Sequence, residues 1–457
     1  MKLLLLRLFW DAKVSGRPRL LKCIRSITLN WPTDIRIQTQ HQFEDYDLEP
    51  LFVMNSHLDI RIQTEDQFED YDVKPLGQDL TSEFARNRPA IWNFIKTKVV
   101  GMDSKHTSKW YNELESDFDA GLAFLLAASP NLSHIYFDHS NDFAETFQHT
   151  YRFMQFSTTA TYSHQQRLLP RLRHFEIKGG RRLMKVPSAI HIHPSTQVLR
   201  LDMLNIKELA LSRHDNTTTP PSLRRLELSS VNIEKDLLET LLQSDICSNL
   251  RILRLDTLWL NYAAIPKQQW KTYSYALLTN ILKEHQPHLE EFSLTQNFSK
   301  HKYRNHQILG SLSSLTTLKR LRVDFPILTH LPLVHLSSLL PPHLESLHLT
   351  DIPFCDIGTF LIPEVLYPYR TGNLRKRPLK ELFLYTKVND FDMREHLNVL
   401  ECLQRRSDKW IKHGLDFRVY RTADAKEVQL VVEPGCRAFR TGEYLRGIRK
   451  RTIKWEN

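Results

Sequence analysis

"CSNLRILRLDTLWLN", residues 247–261, decides how this chain folds. Leucines stand at 250, 253, 255 and 258, with a fifth at 260, and the spacing of the first four fits neither a plain helix face nor a plain alternating strand. Leu253 and Leu255, two apart, point inward from a short strand, while Leu250 and Leu258 fill the turns into and out of it. Ile252, Arg254 and Asp256 then look outward.

With apolar replacements allowed, the same L-x-x-L-x-L spacing recurs as Leu172/Phe175/Ile177, Leu223/Leu226/Leu228, Leu250/Leu253/Leu255, Leu289/Phe292/Leu294, Leu318/Leu321/Val323, Leu344/Leu347/Leu349 and Leu379/Leu382/Leu384. Thr196/Leu199/Leu201 is a weaker copy, and isolated ones lie at Ile24/Ile27/Leu29 and Leu132/Ile135/Phe137. Successive starts from 172 to 379 are 24, 27, 27, 39, 29, 26 and 35 residues apart, and eight copies in series mark a stacked repeat. Helix-like stretches separate them: "EKDLLETLLQ" (234–243), and "WKTYSYALLTNILKEH" (270–285), with Trp270, Tyr273, Leu277 and Ile281 on one face.

Each such unit leaves apolar surface open until a neighbour stacks on it. The expected architecture is therefore an α/β solenoid, curved, with a parallel sheet on its concave face and helices on its convex face. It occupies residues 131–390, between an N-terminal capping region (1–130) and a C-terminal capping helix and strand with a basic tail (391–457). Within the last region, "NDFDMREHLNVLECLQRRSDKWIKHGLDFRVYR" reads as an Asn389 or Asp390 cap, an amphipathic helix, a stop at Gly414 and one more strand.

A second duplication is of another kind. "DIRIQTQHQFEDYDLEPL" (34–51) returns as "DIRIQTEDQFEDYDVKPL" (59–76), with 14 of 18 positions identical. The expectation is a lengthened, solvated loop, cheap in closure entropy; the alternative is an acidic docking loop offering Tyr46 and Tyr71.

Because strand side chains alternate, the outward columns of the repeats can be read off. The middle column runs Glu176, Arg200, Glu227, Arg254, Ser293, Arg322, His348, Phe383, and its first four members alternate in sign. Adjacent strands lie ~4.8 Å apart, so such side chains pair laterally. Flanking columns add His174, Val198, Arg225, Ile252, Glu291, Arg320, Ser346 and Glu381 on one side, and Lys178, Asp202, Ser229, Asp256, Thr295, Asp324, Thr350 and Tyr385 on the other. The total is six bases and seven acids. A phosphate backbone favours a face rich in Arg and Lys, whereas mixed charge with interspersed aromatic residues suits a protein client. The expected partner-binding residues are Arg200, Arg225, Glu227, Ile252, Arg254, Asp256, Glu291, Arg320, Arg322, His348, Phe383 and Tyr385.

The whole chain of 457 residues carries a formal charge of +10, unevenly spread: residues 34–79 hold about −9. From Gly435 to Asn457 seven bases face two acids, and this tail supports the alternative of a nucleic-acid-associated nuclear protein. Five scattered cysteines without a C-x-x-C pair point to a reducing compartment, cytoplasmic or nuclear. "MKLLLLRLFWD" reads as an amphipathic helix, and no apolar run reaches the ~20 residues of a membrane span. No phosphate-binding, dinucleotide, zinc-protease or nucleophile-elbow motif is present, and only 13 glycines are available for such loops. Asp117 and Asp119 read as the entry to the helix "AGLAFLLAAS", and His191 and His193 of "HIHP" lack a third ligand. No cofactor, metal site or enzyme activity is expected.

"CIRSITLNW", "AGLAFLLAASPNLSHIYFD", "PPSLRRLELSSVNI" and "PPHLESLHLTDI" together resemble the leucine-rich-repeat portion of fungal F-box proteins. The leucine-rich-repeat likeness itself covers roughly residues 130–390. The resemblance implies a non-enzymatic interaction scaffold whose repeats hold a substrate for a cullin-based ubiquitin ligase. The adaptor-binding F-box is not visible here: 23 residues precede Ile24, and "LIPEVLYPYRTG" (361–372) is interrupted by Pro368 and Gly372. A ligase adaptor is therefore expected only if a longer form carries an F-box.

Overall fold

The structure, a computed structural model, describes residues 24–30, 59–64, 89–97, 104–114, 117–138, 148–159, 169–179, 184–185, 190–193, 195–207, 209–211, 223–256, 259–261, 275–295, 308–328, 336–352, 379–386, 397–424 and 427–432. The opening "MKLLLLRLFWD", the first copy of the duplicated segment, Asn389, Asp390, residues 361–372 and the basic tail lie outside them. The chain divides into two compact units, Met1–Leu223 with Ser230–Leu237, and Arg224–Ser229 with Leu238–Asn457. Both are α/β, built on parallel strands.

In the first unit, β1 (Ile24–Asn30) carries β2 (Asp59–Thr64) antiparallel on one side and β3 (His134–Asp138) parallel on the other. β4 (His174–Lys178) and β5 (Val198–Asp202) continue the parallel order. β2 corrects one expectation. The second copy of the duplicated segment is not loop throughout: its opening, "DIRIQT", pairs with β1 from Ile24↔Thr64 to Asn30↔Asp59. Alternation of Ile60 and Ile62 with Arg61 and Gln63 is the period-two signal behind this.

Among the described residues, α1 (89–97), α2 (Ser104–Glu113), α3 (Phe118–Ala128) and α4 (Gln148–Thr159) accompany these strands. α3 is apolar on every side, and it is buried from Ala120 to Ala128. Asp117 is its N-cap and accepts the Asp119 N–H at 3.0 Å. Asp119 is itself buried and accepts the backbone N–H groups of His149 and Thr150, so it also closes the first turn of α4. Trp110 of α2 donates its indole N–H to the Ala120 carbonyl at 2.7 Å.

Among the described residues of the second unit one strand pattern recurs seven times. β6 (Arg225–Ser229), β7 (Ile252–Asp256), β8 (Glu291–Thr295), β9 (Arg320–Asp324), β10 (Ser346–Ile352), β11 (Glu381–Thr386) and β12 (Asp416–Asp424) are parallel in chain order, and β13 (Glu427–Val432) returns antiparallel. The register aligns Leu226, Leu253, Phe292, Leu321, Leu347, Leu382 and Phe417 in one buried column. Leu228, Leu255, Leu294, Val323, Leu349, Leu384 and Val419 form a second. Each such side chain contributes about 1.5–3 kcal/mol on burial.

The leucine that opens each motif has a separate duty. Leu250, Leu289 and Leu318 are buried, and their N–H groups close tight turns onto Cys247, Gln286 and Leu315 at 2.9–3.3 Å. Next, two consecutive N–H groups share one carbonyl of the preceding strand's lead-in: Arg251 and Ile252 on Arg224, Glu290 and Glu291 on Arg251, Lys319 and Arg320 on Glu290. The first unit uses the same joint, with Arg173 and His174 on Ser133, and Gln197 and Val198 on Arg173. This joint locks the register, because a one-residue slip would turn every buried side chain outward.

A left-handed residue also recurs, just past β5 and β6 and within the irregular end of β10. Met203, Ser230 and Asp351, each five residues beyond a strand start, adopt left-handed φ values of 54°, 52° and 54°. Non-glycine residues rarely adopt this conformation. In the first unit the turn leads to a second short ladder, where Leu204–Ile206 pairs with Met184–Lys185 and with Asn232–Glu234.

Helices fill the intervals. α5 (Lys235–Gln243) buries Leu238, Leu241 and Leu242, spaced three and four apart. α6 (Ala276–His285) buries Leu278, Thr279, Ile281 and Leu282, while Leu277 is 41% exposed. That corrects the sequence-based face: Leu277 lies on the solvent side of the stripe centred on Leu278 and Leu282, and Trp270 and Tyr273 fall outside the described residues. α7 (Leu397–Trp410) runs into a 3-10 turn, Ile411–His413, that ends at Gly414 with φ +82° before β12. Glycine adopts that value without strain. No helix among the described residues is long and apolar enough to cross a membrane.

Candidate functional site

Opposite the buried columns, the strands present the residues expected at the binding face. In the second unit they form two different surfaces. Over β6–β9 the side chains build an ionic ladder: Arg225 Nε donates to Glu227 Oε1 at 2.6 Å, and Glu227 also meets Arg254 Nη1 at 3.2 Å. Arg254 turns two donors on Glu291 Oε1, Nε at 2.7 Å and Nη2 at 2.6 Å. Arg320 Nη1 reaches Glu291 Oε2 at 3.6 Å. The two carboxylates are mostly covered, each shared by two guanidinium groups, whereas the Arg320 side chain is 70% exposed.

The electrostatics follow from this placement. Burial opposes the charge on Arg254, but the charge and hydrogen bond of Glu291, with Glu227 and Asp256 behind it, hold its pKa above the ordinary arginine value. Asp256 Oδ1 accepts Ser293 Oγ at 3.0 Å and Thr295 Oγ1 at 2.7 Å, and Asp324 accepts the Thr350 hydroxyl. Ile252 sits half-buried at the edge of the ladder, in register with Arg225 and Glu291.

Over β10–β12 the same register brings rings together. His348 lies 4.7 Å from Phe383 and 6.0 Å from Tyr385, centroid to centroid. Tyr385 stacks on Tyr420 at 4.8 Å with 11° between planes, and Phe383 meets Tyr420 edge-on at 5.7 Å. Arg418 lies 5.5 Å from the Phe383 ring and is held by Asp416 through Nε–Oδ1 at 3.0 Å and Nη2–Oδ2 at 2.9 Å. Hydrogen bonding to Asp416 raises the Arg418 pKa. Burial, then the charge of Arg322, lowers His348 to about 4, so its ring is neutral at physiological pH. Burial and the neighbouring Tyr420 raise the Tyr385 phenol.

Several outward positions are not on the surface. Ser293, Asp324, Ser346 and Tyr385 are buried. For Ser293 and Asp324 the lateral hydrogen bonds above are the compensation, and Tyr385 trades exposure for stacking on Tyr420. Arg322 is half-buried between His348 and Ser293 in register.

Arg200 belongs to the first unit, where it pairs with Glu176 at 3.5 Å. Beside it Lys178 meets Asp138 at 3.3 Å, Tyr136 donates to Asp138 at 3.1 Å, and the His134 and His174 rings stand 4.1 Å apart. Burial raises the Asp202 carboxyl, with Lys178 pulling the other way. His193, from the "HIHP" pair, is buried with Nδ1 2.7 Å from Ser195 Oγ.

Sequence reasoning left out Tyr136 and Asp138 on β3, and Asp416, Arg418 and Tyr420 on β12. The signal was present: Leu415, Phe417 and Val419 alternate with those last three residues, and Ile135 and Phe137 with the others. No family model matches this chain, and no curated protein matches it.

Proposed function

We propose that the chain is a leucine-rich-repeat solenoid acting as a non-enzymatic protein-interaction scaffold, of the kind that recognises substrates in F-box ubiquitin-ligase receptors. The observation that carries this reading is the face of the second unit, where an ionic ladder and a ring cluster stand side by side on strands held in one register. Positive and negative groups neutralise each other along β6–β9, which disfavours a polyanion and favours a client with mixed charge. The repeated strand, turn and helix with two buried columns supports the solenoid. We place the protein in the cytoplasm or nucleus, with a ligase adaptor as partner if a longer form supplies an F-box.

The test is affinity purification of the full chain with mass spectrometry, scoring recurrent clients and ligase adaptors, followed by binding of the captured client to variants. Arg320→Glu, at the exposed end of the ladder, together with Phe383→Ala, should weaken a client at least about 10-fold, since interface anchors contribute 2 kcal/mol or more. A client that binds both variants as well as the wild type refutes this face. Salt-resistant, sequence-selective nucleic-acid binding that vanishes on deletion of residues 435–457 would instead establish the nucleic-acid reading.

A further inference from the structure

Away from the strand face, three helices of the first unit bring their ends to one point. Glu113 closes α2, Asp117 caps α3, and His149 is the second residue of α4. One ligand atom from each lies within 4.8 Å of the other two. His149 Nε2 is 2.5 Å from Glu113 Oε2 and 3.8 Å from Asp117 Oδ2.

We propose that Glu113, Asp117 and His149 form a binding site for a divalent transition-metal ion of the zinc class. An imidazole with two carboxylates is a donor set for such ions. With bonds of ~2.1 Å, tetrahedral ligands lie about 3.4 Å apart, so the observed 2.5 and 3.8 Å need shifts of only about an ångström. Two carboxylates and a neutral imidazole balance the ion's double charge.

The surroundings orient each donor. Asp117 gives Oδ1 to the Asp119 N–H and leaves Oδ2 toward the imidazole. Glu113 meets Lys109 through Oε1, at 3.7 Å, and the imidazole through Oε2. The imidazole is placed by its own backbone: the His149 and Thr150 N–H groups bind the buried Asp119 carboxylate, which fixes the start of α4. His149 is 8% exposed, but Glu113 and Asp117 are 33% and 38% exposed, so one side is open for the ion and for water as the fourth ligand. Because ligand groups must be deprotonated to coordinate a metal ion, affinity at such a site falls as pH falls. Bound there, it ties α2, α3 and α4 together.

The full chain, stripped with chelator, is titrated with zinc sulfate by calorimetry and with cobalt(II) by visible absorption. The wild type should bind one equivalent that raises the thermal midpoint and gives cobalt bands of a nitrogen–oxygen site. His149 is buried and its replacement can unfold the unit, so the deciding variants are the more exposed Glu113→Gln and Asp117→Asn. Each should lose at least about 10-fold in affinity, the loss seen even for outer partners of a metal ligand. His149→Gln, if folded by circular dichroism, should abolish the cobalt bands. Identical stoichiometry, affinity and spectrum in wild type, Glu113→Gln and Asp117→Asn would overturn the site, as would no wild-type binding at micromolar metal.

Discussion

The two halves of the second unit's face share a backbone and differ in what their side chains exchange. Over β6–β9, Glu227 and Glu291 are each clamped between arginines. Over β10–β12, His348, Phe383, Tyr385 and Tyr420 pack ring against ring. The difference teaches that parallel register fixes which side chains meet, while residue type decides whether the meeting is sensitive to salt or to shape. A charge ladder near water is weak and screened. A ring cluster buries apolar area and responds to cavities instead.

Both halves rest on the same buried columns, and the largest effect comes from breaking those. Leu253→Asp beneath the ladder and Leu382→Asp beneath the rings each place a charge among apolar side chains without a partner. Each should cost at least about 3–5 kcal/mol, read as loss of the cooperative transition in urea. Wild-type stability in either variant would mean that the column is misassigned.

Next comes Tyr385→Ala. Removing the ring stacked on Tyr420 should destabilise by about 3 kcal/mol through the cavity left behind, with little dependence on salt. Glu291→Gln, which removes the charge that holds Arg254 most strongly and leaves it Glu227 and Asp256, should cost about 1 kcal/mol at low salt and less in 1 M NaCl. Equal salt sensitivity of the two variants would erase the distinction between the halves.

A pH titration sharpens it further. His348 has a folded pKa of about 4 against an ordinary 6.5, so between these values the unfolded chain binds the extra proton. Its contribution is therefore present above pH 6.5 and is lost as pH falls toward about 4, by on the order of 1–3 kcal/mol. Difference curves between wild type and His348→Gln should show this slope. A flat difference would place His348 in an open, solvated setting.

The smallest effect tests the helix layer behind the strands. Leu277→Ala should change stability by no more than about 0.5 kcal/mol, whereas Leu278→Ala should cost about 2–4 kcal/mol. The reverse order would restore the face on which Leu277 was expected.

The amino-acid sequence alone determined the positions of the repeated strands. Burial acts on local spacing, so L-x-x-L-x-L places two columns inside wherever it occurs. It also determined the stop at Gly414, because a left-handed turn after a helix favours glycine, and the outward columns, because strand side chains alternate. Tertiary structure decided the rest. Period two in "DIRIQT" is compatible with a strand, but only β1 supplies the partner that makes it one. Tyr385 has an outward position, yet Tyr420, 35 residues on, removes it from the surface. The meeting of Glu113, Asp117 and His149 leaves no local pattern, since these residues come from the ends of three helices that adjoin only after those helices pack. Contacts between residues distant in sequence depend on how elements pack, and no spacing rule along the chain encodes that.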